Sequence, residues 1–113
     1  MVDVSPKQAT HRRALAQARV HLAPATLDAF RHGRLAKGDA AAVARIAGIQ
    51  GAKRTADLIP LCHPLRLDRV DVELAIENGG ILIRAEAMAF DRTGVEMEAL
   101  TAATTAALAL YDM

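Results

Sequence analysis

Cysteine is nearly missing from this chain. Cys62 stands alone, so no intrachain disulfide can form and a reducing compartment is expected. Trp is absent and aromatics make up 3% of the 113 residues, while hydrophobic residues reach 52%. The core must therefore be assembled from Ala, Val, Ile and Leu, whose small volumes let elements approach closely. Charge of one sign is also lacking: the formal net charge is +1, which excludes the broad basic field behind non-specific nucleic-acid binding. A single-stranded RNA platform is disfavoured too, because the strands offer almost no aromatic rings on which bases could stack. No apolar run approaches membrane-spanning length. The opening Met-Val-Asp-Val-Ser has no charged region leading into an apolar one, as a secretory signal would. The expectation is a soluble, cytoplasmic, single-domain protein spanning residues 1–113, too short for a deep cleft built within one copy.

What is present falls into clear periods. From Arg13 to Leu22 the residues Ala14, Ala16, Ala18, Val20 and Leu22 alternate with Leu15, Gln17, Arg19 and His21, the period of a strand with one buried face. Pro24 and Thr26 open a short helix through Phe30, closed at Gly33. Asp39 suits the N-cap of a helix from about Ala40 to about Ile59, stopped by Pro60. Within it Ala44, Gly48, Gly51 and Ala52 recur at helical spacing, a stripe against which another backbone can pack, either in a tight core or between copies. Val70, Val72, Leu74 and Ile76 alternate with polar neighbours. After Asn78-Gly79-Gly80 a second run extends from Ile81 to about Met88, giving a hairpin whose loop is two residues or longer. Thr93 with Glu96 three residues on reads as a capping box for a last helix reaching Tyr111. Strand, two helices, hairpin and helix together predict an α+β fold, a ferredoxin-like antiparallel sheet with helices packed on one face.

His63 sits between Cys62 and Pro64 in a loop stiffened by Pro60 and Pro64, and imidazole suits phosphate binding or proton transfer. A histidine packed for shape is the plainer account. Zinc is disfavoured, since Cys62 has no second cysteine and adjacent Cys-His side chains seldom converge on one ion. Lys37, Lys53 and Arg54 lie near helix ends or this loop and could meet an anion, though solvated surface charge is each one's default. Of Arg12 and Arg13 at most one can face a given site, because neighbours on a strand point to opposite sides. Glu96 and Glu98 suit the positive start of their helix, whereas Asp112 opposes the macrodipole at its end and invites a functional explanation. At 1.5 Å per residue Glu98 and Asp112 stand roughly 21 Å apart, so they serve different ends of a long substrate or complete sites across a subunit boundary.

These residues converge on a family. Lys37-Gly38-Asp39, Ala44 to Ile49, Ala52-Lys53-Arg54-Thr55, Leu58 to Leu65, Thr93 to Leu100 and Tyr111-Asp112-Met113 resemble the signatures of the molybdenum cofactor biosynthesis protein C family, the cyclic pyranopterin monophosphate synthases. The resemblance implies rearrangement of cyclised dihydro-GTP into a pyranopterin, with closure of a cyclic phosphate and loss of pyrophosphate. It also implies a homo-hexamer, a trimer of dimers with sites at interfaces. By matching motif, Asp112 and Lys37 would be catalytic, at least one of them coming from another subunit. Leu61, Cys62, His63, Glu96, Met97 and Glu98 would line the substrate site, and Lys53 with an interface-crossing Arg12 would bind the triphosphate. No resident cofactor or metal is implied, with Mg²⁺ beside the phosphates left open. The family pattern continues past Tyr-Asp-Met with a lysine and a tail, so fold and assembly are expected to survive better here than turnover. The alternative is an oligomeric module that binds a pterin or nucleotide phosphate without converting it.

Overall fold

A computed structural model describes all residues, Met1–Met113. The elements are β1 (Thr10–His21), α1 (Pro24–Arg31), α2 (Ala40–Lys53), α3 (Thr55–Leu58), β2 (Leu67–Glu77), β3 (Gly80–Asp91) and α4 (Glu96–Asp112). The strands form one antiparallel sheet in the order β1-β3-β2. This is the α+β arrangement the sequence predicts, and the element order follows the ferredoxin-like β-α-β-β-α-β series as far as the helix after the hairpin.

Side chains of alternate strand residues separate the two faces of the sheet. Ala16 on β1, Val72 on β2, and Ile81, Ile83, Ala85, Ala87 and Ala89 on β3 are buried beneath α2 and α4. Alanine supplies eleven of the sixteen residues in this core, so the helices lie close to the sheet. The opposite face is polar and internally paired. Arg13 donates to Glu86 at 2.6 Å and Arg69 to Asp71 at 3.2 Å, and Arg13 holds the Glu86 carboxyl below its ordinary range.

The stripe Ala44, Gly48, Gly51 and Ala52 is buried against α4, which decides between its two readings in favour of a tight core. A Cβ at Gly48 would lie 3.0 Å from the Ala102 carbonyl oxygen and 3.0 Å from Val72 Cγ2, so a backbone passes where a side chain would stand. The hairpin loop is the two-residue form: Glu77 pairs with Gly80, while Asn78 and Gly79 take φ of 50° and 74°, as a type I′ turn requires.

Three expected boundaries move. The helix from Ala40 ends at Lys53, and α3 is a separate turn. There the buried Thr55 hydroxyl donates to the Ala52 carbonyl at 2.9 Å, and Arg54 N–H reaches Gly51 O rather than continuing the α-helical ladder. The capping box does not form. α4 begins at Glu96 after Val95, and Thr93 Oγ1 donates instead to the adjacent Gly94 carbonyl at 3.0 Å. Burial of Val95, 1% exposed, brings the chain into the helix from the core side. β1 starts at Thr10 rather than Arg13, because its ladder with β3 continues to Asp91.

Candidate functional site

Two groups of side chains stand at opposite ends of α4. At its start, the first turn carries Glu96, Met97 and Glu98. Glu96 and Met97 are exposed, whereas Glu98 retains only 3% of its surface. Cys62 faces it from the loop between α3 and β2, where Cys62 N–H donates to Ile59 O at 3.2 Å, closing a turn with Pro60 at the position whose φ proline pre-sets. The Cys62 thiol lies 3.8 Å from Glu98 Oε1. Glu98 Oε2 is buried without a hydrogen-bond partner. Burial pushes the Glu98 carboxyl up, against the smaller pull of its own backbone N–H and of the thiol. Burial also pushes the Cys62 thiol up, and the neighbouring carboxylate adds to this. Cys62 is thus a thiol rather than a nucleophilic thiolate. Leu61 projects from the loop, 72% exposed, and His63 is half-buried.

At the other end, Lys37 and Asp112 meet. Lys37 sits in the turn before α2, where Gly38 takes φ of 104° and the Asp39 carboxylate caps α2 by accepting from Ala42 N–H at 3.0 Å. Lys37 Nζ donates to Asp112 Oδ2 at 2.8 Å, with both side chains exposed. The lysine accounts for an acid at the negative end of a helix, since a cation there offsets the macrodipole. The pair forms within one chain, because the turn after α1 folds back onto the end of α4.

Arg12 and Arg13 face opposite sides of β1, as strand geometry demands. Arg13 joins the polar outer face. Arg12 turns toward the helices, where its Nη2 lies 3.5 Å from the Arg92 carbonyl and its Nε is buried without a partner. Arg12, Arg13 and Arg69 line a groove of about 540 Å³ with His11 and Asp68. The part of His11 and Arg69 in this basic groove was invisible in the sequence, because it depends on the strand register that sets Arg12 across from Ala89 and Arg69 across from Met88. Lys53 is exposed in the last turn of α2. No three His, Cys, Asp or Glu side chains are grouped to hold a metal ion, and no helix is long and apolar enough to cross a membrane.

One end therefore offers a buried acid and a thiol, and the other an exposed lysine–carboxylate pair. Fourteen residues of helix set the two roughly 21 Å apart.

Known proteins share this sequence along its whole length. The chain is 56% identical over 115 residues to the cyclic pyranopterin monophosphate synthase of Thermomicrobium roseum, covering 100% of this chain and 69% of that protein. It is 55% identical to the synthases of Dinoroseobacter shibae and Novosphingobium aromaticivorans, of which it covers 73% and 72%. The model of the MoaC family matches residues 1–113. An α+β sheet with the signature loop at one end of α4, the Tyr111-Asp112-Met113 terminus at the other, and a family match over every residue make this chain a member of the MoaC family.

Proposed function

We propose that this chain is a cyclic pyranopterin monophosphate synthase of molybdenum cofactor biosynthesis, converting cyclised dihydro-GTP into cyclic pyranopterin monophosphate and pyrophosphate. The observation that carries the reading is the placement of a buried acid and a thiol at the start of α4 and of Lys37 against Asp112 at its end. In the phosphate step a substrate hydroxyl oxygen bonds to the innermost phosphorus, the bond to the bridging oxygen breaks, and pyrophosphate leaves with that oxygen. Arg12, Lys53 and His63 surround the leaving charge, because cations set where charge develops lower the barrier. Lys37 and Asp112 pass protons at the ring, an exchange general acid–base pairs accelerate by about 10²–10⁴-fold.

A substrate reaching both ends of α4 would have to span roughly 21 Å, so the complete site draws Lys37 and Asp112 from one copy and the Cys62–His63 loop from another. A homo-hexamer built as a trimer of dimers supplies that contact. Its support is the apolar surface left in water on α4 and α2: Leu100, Leu108, Tyr111 and Ile46 are 49%, 67%, 82% and 57% exposed, a pattern that marks interaction surfaces.

Incubation with cyclised dihydro-GTP tests the reading by release of pyrophosphate. Asp112→Asn is expected to abolish release while leaving the circular dichroism spectrum unchanged. Saturable binding without release would replace the synthase with a binding module, and near-normal turnover in Asp112→Asn would remove that carboxylate from the mechanism.

A further inference from the structure

Lys37 meets Asp112 as an exposed ion pair, and a pair of that kind is too weak to hold a loop by itself, because ordering the loop's backbone costs more than the pair contributes. Something else fixes the lysine. Upstream there is little to do so: α1 has no buried residue, and from Arg31 to Asp39 only Leu35 is even half-buried. Its side chain packs against the core, and its carbonyl accepts from Gly38 N–H at 3.1 Å. The firm point lies downstream. Asp39 Oδ1 accepts from Ala42 N–H at 3.0 Å, a bond strengthened by the charge on its acceptor and by the positive start of α2. Ala40, the next residue, is buried in the core. Between the cap and the lysine stands Gly38 at φ of 104°, a torsion that residues with a Cβ rarely adopt. One residue in an unusual conformation thus sets the direction in which the chain runs from the cap back to Lys37.

We propose that Asp39 is a positioning residue for Lys37: its carboxylate locks the turn to the start of α2, and Gly38 carries that fixed point back to the lysine, so that Nζ rests against Asp112. The proposal rests on the reading of Lys37 and Asp112 as the proton-transfer pair and adds what holds the two in register. Asp39 acts through the backbone, since its own hydrogen bond is to Ala42 N–H while the lysine's is to Asp112. Misplacing a catalytic group by about 1 Å can cost about 10²-fold in rate. A cap two residues from the lysine can therefore govern turnover without meeting the substrate.

A cross-linking arm tests the placement without substrate. A water-soluble carbodiimide joins an amine to a carboxylate where the two touch, so digestion and mass spectrometry of the treated wild type should yield the Lys37–Asp112 amide. Asp39→Ala and Asp39→Gly, which remove the cap acceptor, should lower that yield several-fold. Asp39→Asn and Asp39→Ser, which keep an acceptor, should return it. Asp39→Gly guards against simple unfolding, because glycine at this position costs a helix little. Equal yields across the variants overturn the proposal. In a kinetic arm with cyclised dihydro-GTP, Asp39→Ala and Asp39→Gly should lower kcat about 10-fold with KM within about 2-fold, and the two capping variants should recover most of the loss. Gly48→Ala, which strains the packing of α2 and leaves the cap alone, should keep kcat near that of the wild type. A loss in Gly48→Ala equal to that in Asp39→Ala, or no recovery in Asp39→Asn and Asp39→Ser, would reduce Asp39 to a source of stability and overturn the positioning role. Should the wild type release no pyrophosphate, the synthase reading falls, while the cross-link yield still decides whether Asp39 places Lys37 against Asp112.

Discussion

Asp112 and Glu98 are acids of the same helix in opposite circumstances. Asp112 is exposed beside Lys37 at 2.8 Å, a pair of the kind worth about 0–1 kcal/mol to stability. Asp112→Asn should therefore shift the urea midpoint by less than about 1 kcal/mol equivalent even as turnover is lost. Glu98 is buried, and its carboxyl is raised above the ordinary range. The folded state then binds the proton more tightly than the unfolded chain, so the stability this adds is full below the unfolded carboxyl value near pH 4 and is lost as pH rises through the folded value. Glu98→Gln should consequently gain on the wild type between acidic and neutral pH, as read from urea melts at both. A constant difference would show that Glu98 titrates normally. Of these residues, Asp112 was legible in the sequence because it defies the macrodipole, and the Cys62–Pro64 loop because two prolines bracket it. The Cys62–Glu98 contact was not legible, since 36 positions separate its members and neither carries a mark of the other.

Helices α2 and α4 touch through backbone as much as through side chains. Gly48→Ala would place a methyl 3.0 Å from a carbonyl oxygen and from Val72 Cγ2, an overpacking that costs about 1–3 kcal/mol. Gly80→Ala is worse placed, because its Cβ would lie 2.3 Å from the Val20 carbonyl oxygen on the neighbouring strand. Thermal melts should rank Gly80→Ala below Gly48→Ala, and both below the wild type; an unchanged midpoint for Gly80→Ala would contradict the β1–β3 register. At this scale the periods were readable: alternation marked β1 and the hairpin, and the small stripe marked the face of α2. The ends of α2 and α4 were not, because they are settled by a Thr55 hydroxyl turning back on its own helix and by Val95 entering the core, both consequences of tertiary packing.

The molecule as a whole is long and thin. Its extents are 53 × 22 × 19 Å with a radius of gyration of 15.6 Å, against about 13 Å for a compact domain of this length. Only 22 of 113 residues are buried, so much apolar surface stays in water unless copies associate. Leu108→Glu on the exposed face of α4 should lower the apparent mass in size-exclusion chromatography while leaving the helical signal intact. An unchanged elution volume would move the interface elsewhere.

The strand order β1-β3-β2 also sets a schedule. Both outer strands hydrogen-bond only to β3, so Thr10 to His21 has no partner until Gly80 to Asp91 has been made. At 5–20 residues per second, that delay is roughly 4–14 s of synthesis. During those seconds a twelve-residue strand with an alternating apolar face leaves the ribosome with both edges open, within reach of chaperones and of the same strand on neighbouring nascent chains. The charged residues that alternate along it, Arg13 and Arg19 among them, then act before the fold exists, keeping identical strands apart until the central one arrives.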